Sequence, residues 1–192
     1  MSTILRPAAV MLGLFTLLTG AVYPVVVTGA ARAMFPSQAE GSLIKEGDQV
    51  IGSSLIGQPF DDPKYFWGRP SATSPRAYDA SASSGSNLGP SNPALTDAVR
   101  SRVEALRAAD PGDTAPVPID LVTTSGSGLD PHISPAAALY QVPRIARARG
   151  LPQERVRELV ERLTERSQLG VLGEPRVPVL PLNLALDRLK TI

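Results

Sequence analysis

The chain has 192 residues, with 19 basic and 18 acidic side chains and a formal net charge of +1. That near-balance excludes a nucleic-acid binder driven by bulk charge and a strongly acidic disordered tail. With no cysteine and a single histidine, His132, disulfides, thiolate metal sites and a multi-histidine zinc site are excluded as well.

From Pro7 to Ala31 no residue is charged, and Arg6 and Arg32 bracket the run. As a helix, about 25 residues rise about 37 Å, enough to cross a hydrocarbon core of about 30 Å with some tilt. The reading is a retained membrane span, with Pro24 kinking its second half. A cleaved signal peptide is the competing reading; its apolar region would be shorter, although Thr28-Gly29-Ala30-Ala31 is permissive for cleavage. A buried core helix is the third. Flanking positive charge favours a cytoplasmic N-terminus. The expected division is an anchor over 1–33 and a soluble extracytoplasmic domain over 34–192.

After the span, 42–44, 49–52 and 54–57 read as short strands in a meander, each apolar and punctuated by small residues. Phe60, Tyr65, Phe66 and Trp67 then cluster, either as core packing for an irregular loop or as a partner-binding patch. Residues 68–93 are a long Gly, Ser, Ala, Pro and Asn loop. Asn92 and Pro93 form an N-cap and first-turn proline, and Leu95, Val99, Val103 and Leu106 predict a helix over 93–109. A strand is expected over 119–123. Ser134 and Pro135 open a helix to Arg149, stopped by Gly150, with Pro143 costing it one backbone bond and bending it. Val156, Leu159, Val160 and Leu163 predict an amphipathic helix over 152–168. A strand over 177–180 and a short helix over 182–189 complete an α+β domain, rich in loops because the chain carries 19 Pro and 16 Gly.

Two segments echo each other: Ser84-Gly85-Ser86-Asn87-Leu88-Gly89-Pro90 and Ser125-Gly126-Ser127-Gly128-Leu129-Asp130-Pro131 share S-G-S-x-L-x-P, and each leads towards a capped helix. They predict two similar loop-to-helix starts on one surface, with coincidence in a Ser/Gly-rich chain as the alternative.

Chemistry is sought and mostly not found. No Gly-Lys pair exists for a phosphate-wrapping loop, and the Asp-Lys-Thr-Gly run of an aspartyl-phosphate pump is missing. His132 is the one conventional general base, with Asp130 and several serines near it in sequence, but no Gly-x-Ser-x-Gly elbow exists. Its expected role is to cap or hydrogen-bond the loop before the 135 helix. Helix N-termini behind Ser/Gly loops attract anions, which makes Ser125, Gly126, Ser127, Gly128 and His132 weak candidates for a bound phosphate; capping of the helix itself is the plainer reading. One span cannot supply the several segments that an ion pore needs, so a membrane partner is expected. Gly13, Gly20 and Gly29 offer it a close approach without a perfect G-x-x-x-G.

Gly52-Ser-Ser-Leu-Ile-Gly-Gln-Pro-Phe60, Phe66-Trp-Gly-Arg-Pro-Ser71, Ser86-Asn-Leu-Gly-Pro-Ser-Asn-Pro93, the stretch Asp120 to Pro135, Leu172-Gly-Glu-Pro-Arg-Val177 and Leu182-Asn-Leu-Ala-Leu-Asp187 resemble, in order and across essentially the whole chain, the C subunits of Kdp potassium-transporting ATPases. Ser86 departs from the glycine expected there. The resemblance implies a non-catalytic accessory subunit in the bacterial inner membrane. Its implied partners are a channel-like potassium-binding subunit, a P-type ATPase subunit and a small membrane subunit. It also implies a catalytic chaperone that raises the ATPase subunit's affinity for ATP, with ATP reached only through that partner and no cofactor of its own. An extracytoplasmic domain cannot touch cytoplasmic ATP, so such an effect is expected to pass through the complex as a coupling free energy. Phe60, Phe66, Trp67, Ser86, Asn87 and Asn92 are the expected partner contacts. A membrane-anchored ligand-binding module is the alternative reading of the same chain, and an anchored hydrolase using His132 a third.

Overall fold

A computed structural model describes residues 2–189. The chain divides into two compact units, residues 1–51 and 52–192. The first is dominated by one continuous apolar helix, Thr3–Met34, none of whose residues is buried within the chain. It runs as α1 (Ser2–Leu17), a π-helical turn (Leu18–Val22) and α2 (Tyr23–Met34). The π turn sits immediately before Pro24, with the Tyr23 N–H reaching back five residues to the Leu18 carbonyl. Proline cannot donate a helical bond, and a widened turn is one way a helix absorbs that loss. The hydroxyl of Thr19 donates to the Phe15 carbonyl at 2.7 Å, which satisfies it inside the helix. A one-turn helix α3 (Pro36–Ala39) follows, then β1 (Leu43–Glu46) and β2 (Gln49–Ser53), which pair about Gly47. The third expected strand, 54–57, is a turn closed by a single bridge between Ser53 and Ile56.

The second unit is a mixed α+β domain. Its helices are α4 (Pro93–Ala109), α5 (Pro135–Arg149), α6 (Gln153–Leu163) and α7 (Val179–Asp187), with a small antiparallel pair of β3 (His132–Ile133) and β4 (Val177–Pro178). The capping signals act where the sequence places them. The Asn92 side chain accepts from Ala94 N–H, Ser134 accepts from Ala137 N–H, and Gly150 ends α5 in the left-handed conformation at φ 63°. The core gathers Val142 and Ile145 of α5, Val156, Leu159 and Val160 of α6, and Leu182 and Leu186 of α7 around Phe66.

Three further expectations are corrected. Residues 119–121 form a 3-10 turn, not a strand. The Ile119 carbonyl accepts the N–H groups of Val122 and Thr123 and the Thr123 hydroxyl, and the consecutive residues Leu121 and Val122 are both buried, which an alternating strand does not allow. Helix α6 stops at Leu163, five residues early, because the Thr164 hydroxyl turns back onto the Val160 carbonyl and the chain enters a hairpin pairing Glu165 with Arg176. The last helix starts at Val179 and not at 182, since Pro181 lies in its first turn, where a missing N–H costs nothing.

Candidate functional site

The segment 63–71, a turn followed by irregular backbone, is the scaffold of a polar cluster in the second unit. Among the described residues no strand pairs with it. Side-chain amides do so instead: Asn183 accepts from the Phe66 N–H at 2.9 Å and donates to the Phe66 carbonyl at 3.0 Å, and Gln141 does the same for Trp67 at 2.8 and 3.1 Å. Gln141 and Asn183 are both buried, so they replace a β-ladder inside the core. Arg144 completes the clamp. It donates to the carbonyls of Pro63 and Tyr65 and to Gln141, and its guanidinium lies 4.7 Å from the Trp67 ring centre. Burial of this charge pushes its pKa down to about 10, so it remains protonated at neutral pH.

Two residues beyond Trp67 the chain places Arg69, whose side chain is only 25% exposed. Its guanidinium donates to Asp130 at 3.3 Å and to the Thr124 carbonyl at 3.2 Å. Asp130 in turn accepts from the His132 backbone N–H at 3.0 Å and lies 3.4 Å from the His132 ring nitrogen Nδ1. Burial raises the Asp130 pKa, but the hydrogen bonds from His132 and the charge of Arg69 outweigh it and leave the carboxyl below its usual value. Arg69 borders three hollows, of about 260, 470 and 510 Å³. The first is lined by Phe60, Trp67, Tyr78 and Arg102; the second by Asp130, His132, Glu174 and Arg176; the third by Ser125, Gly126 and Ser127. Tyr78, whose hydroxyl donates to the Arg69 carbonyl, is pushed up to about 12, by burial first and then by Asp130 and Asp61.

The two echo loops meet. Ser84 N–H and the Ser83 hydroxyl both donate to the Ser127 carbonyl at 3.0 Å. A Cβ on Gly85 would lie 2.9 Å from the Gly126 carbonyl oxygen, and one on Gly128 would lie 2.6 Å from the Ser84 carbonyl oxygen. Glycine is needed at 85 and 128 because backbone passes against backbone there. The Ser71 hydroxyl ties the pair to the 63–71 segment through the Gly128 carbonyl at 2.7 Å.

This geometry uses up the chemistry that the sequence suggests for these residues. Ser125 and Ser127 accept the N–H groups of Gly128 and Leu129, two amides a phosphate would need. At the start of α5, Ser134 caps Ala137 and the Asp120 carboxylate accepts from Ser134 N–H at 2.7 Å, placing a negative charge where an anion would sit. The partner found for His132 is Asp130, not a serine. Among the described residues no group of three or more His, Asp or Glu could hold a metal ion. Of the expected partner contacts, Phe66 is 0% exposed and belongs to the core, the other reading open for that cluster. Phe60 and Trp67 are half-buried, and Ser86, Asn87 and Asn92 are exposed, Asn92 already serving as a helix cap. Sequence reasoning passed over Gln141, Arg144 and Asn183; the signal was a polar residue on the apolar side of a helix, Asn183 standing between Leu182 and Leu184.

Residues 5–188 match the family described as KdpC, the c chain of the K+-transporting ATPase. The chain belongs to the KdpC family. It is 66% identical to the potassium-transporting ATPase KdpC subunit of Polaromonas naphthalenivorans, over 100% of this chain and 98% of the relative. It is 65% identical to that of Methylococcus capsulatus, over 96% and 97%, and 60% identical to that of Herpetosiphon aurantiacus, over 100% of both. As a KdpC chain it is a non-catalytic subunit of the potassium-transporting complex, and its one membrane-length helix fits a single-pass membrane protein. An accessory role also accounts for a polar site whose charges are spent on one another.

Proposed function

We propose that this chain assembles and stabilises the potassium-transporting complex and, from outside the membrane, raises the ATP affinity of its P-type ATPase subunit. The partners are that subunit, a channel-like potassium-binding subunit and a small membrane subunit. Residues 1–33 anchor the chain with the N-terminus in the cytoplasm, and 34–192 form the extracytoplasmic domain, with Phe60, Trp67, Ser86 and Asn87 among its partner contacts. The effect on ATP travels as a coupling free energy, typically about 1–3 kcal/mol, between the outer domain and the nucleotide site.

One observation supports this reading above the others: no residue of the Thr3–Met34 helix is buried, and Ala9, Gly13, Thr16 and Gly20 line one groove along it. Nothing lies within 4 Å of a Cβ placed on Gly13 or Gly20. Small residues of this kind let another membrane helix approach closely. The test is purification of the full-length chain from native membranes in mild detergent. Recovery with a P-type ATPase and a channel-like subunit, together with potassium-stimulated ATP hydrolysis whose apparent ATP affinity falls when the chain is omitted, supports the proposal. Recovery of the chain alone refutes it.

A further inference from the structure

The hairpin between α6 and β4 carries a feature that the folded domain does not use. Leu169, Val171 and Leu172 are 90%, 80% and 57% exposed. They are nevertheless held in place. Glu165 and Arg176 exchange two backbone bonds of 2.8 and 3.0 Å, and Gln168 and Leu172 exchange two of 2.8 and 2.9 Å. Ser167 and Gln168 carbonyls accept the N–H groups of Gly170 and Val171. The turn places Leu169 at φ 55°, in the left-handed region, beside Gly170 at φ 75°. A branched side chain there costs about 1 kcal/mol or more. An apolar tip that is both strained and ordered is preorganised for contact, since little conformational freedom is left to lose on binding.

We infer that the tip Leu169–Leu172 is a docking knob that inserts into an apolar depression on another subunit of the transporting complex. This rests on the assembly role proposed above. The charges beneath the tip choose between a protein and a lipid occupant. Residues 165–176 hold two Glu and two Arg, so their sum is zero, and Glu165 and Arg176 pair with each other at 2.8 Å. Attachment to anionic headgroups needs an excess of Lys and Arg, each contributing about 1 kcal/mol. The segment also lacks Trp and Tyr, the residues that anchor protein at the membrane–water boundary. An aliphatic tip over a self-neutralised base matches the apolar centre and polar rim of a protein interface. Three side chains fall well short of the roughly 800 Å² per partner of a standard interface. The knob is therefore the anchor of a larger contact.

The test uses the full chain in its complex. A photo-crosslinking amino acid is placed at 169 or 171, and separately L169S, V171S and L172S are combined. The expected results are an adduct with another complex subunit, and about tenfold less complex retained through detergent purification for the triple variant, with its thermal unfolding unchanged. Full retention by the triple variant overturns the proposal whatever the adduct. So does an adduct confined to lipid or to a second copy of this chain, and so does the absence of any adduct from both positions. A wild-type control that retains its partners leaves the assembly role standing when the knob fails; a wild-type chain that purifies alone removes the assembly role itself.

Discussion

Replacing Asn183 with leucine tests whether side-chain amides stand in for a β-ladder in this domain. Leucine keeps the branching at Cγ and the number of side-chain heavy atoms, so the main loss is two hydrogen bonds to Phe66, of 2.9 and 3.0 Å. Phe66 is 0% exposed and Asn183 2%, so no water replaces the amide. Each orphaned buried backbone group costs about 1–3 kcal/mol, which gives about 2–6 kcal/mol for N183L. Such a domain has a total stability of about 5–15 kcal/mol, so the variant sits near its threshold. Trp67, the chain's one tryptophan, lies in the neighbouring clamp, so its fluorescence reports denaturant unfolding of the purified full-length protein. Asn183 and Gln141 hold successive residues, and the double variant N183L/Q141L is expected to depart from additivity by more than about 0.5 kcal/mol. A loss for N183L below about 0.5 kcal/mol, or strict additivity of the pair, refutes the reasoning.

Further predictions concern the glycine seam, the Asp130 cluster and the span. Gly128→Ala combines a φ of 68° with a 2.6 Å approach to backbone and should lose about 2–4 kcal/mol. Gly85→Ala meets backbone at 2.9 Å and should lose less, whereas Gly126→Ala, with nothing within 4 Å, should be near neutral; denaturant midpoints rank the three. Asp130 has a lowered pKa in the fold, so its stabilisation is present above the ordinary carboxylate value and is lost as pH falls through the folded value. Asp130→Asn should therefore melt lower than wild type at pH 7, with the difference beginning to shrink below about pH 4 and lost only once pH is below the depressed folded value; a difference that does not shrink as pH is lowered from about 5 to about 2 rejects the assignment. Gly13→Leu and Gly20→Leu should lower the yield of assembled complex while leaving thermal unfolding of the soluble domain unchanged, since both positions face open space.

How much was legible in the sequence follows from the range over which each signal acts. The apolar run 7–31 specified a membrane-length helix because crossing a bilayer depends only on length and composition. The starts of α4 and α5 and the stop at Gly150 were readable because capping acts within four residues. The S-G-S-x-L-x-P echo predicted two similar loop-to-helix starts on one surface; what the structure shows is that the two loops touch, with Ser83 and Ser84 donating to the Ser127 carbonyl. Tertiary structure decided the rest. Residues 119–123 have strand-like composition, but among the described residues no partner strand reaches them, and their backbone turns onto itself. Phe66 is joined to Asn183 across 117 positions of sequence, a distance over which no periodicity or capping rule carries information. Whether Gln141, Arg144 and Asn183 are solvated or form the inner clamp of Arg69's segment depends on which backbone groups the fold leaves without partners, and only the assembled core determines that.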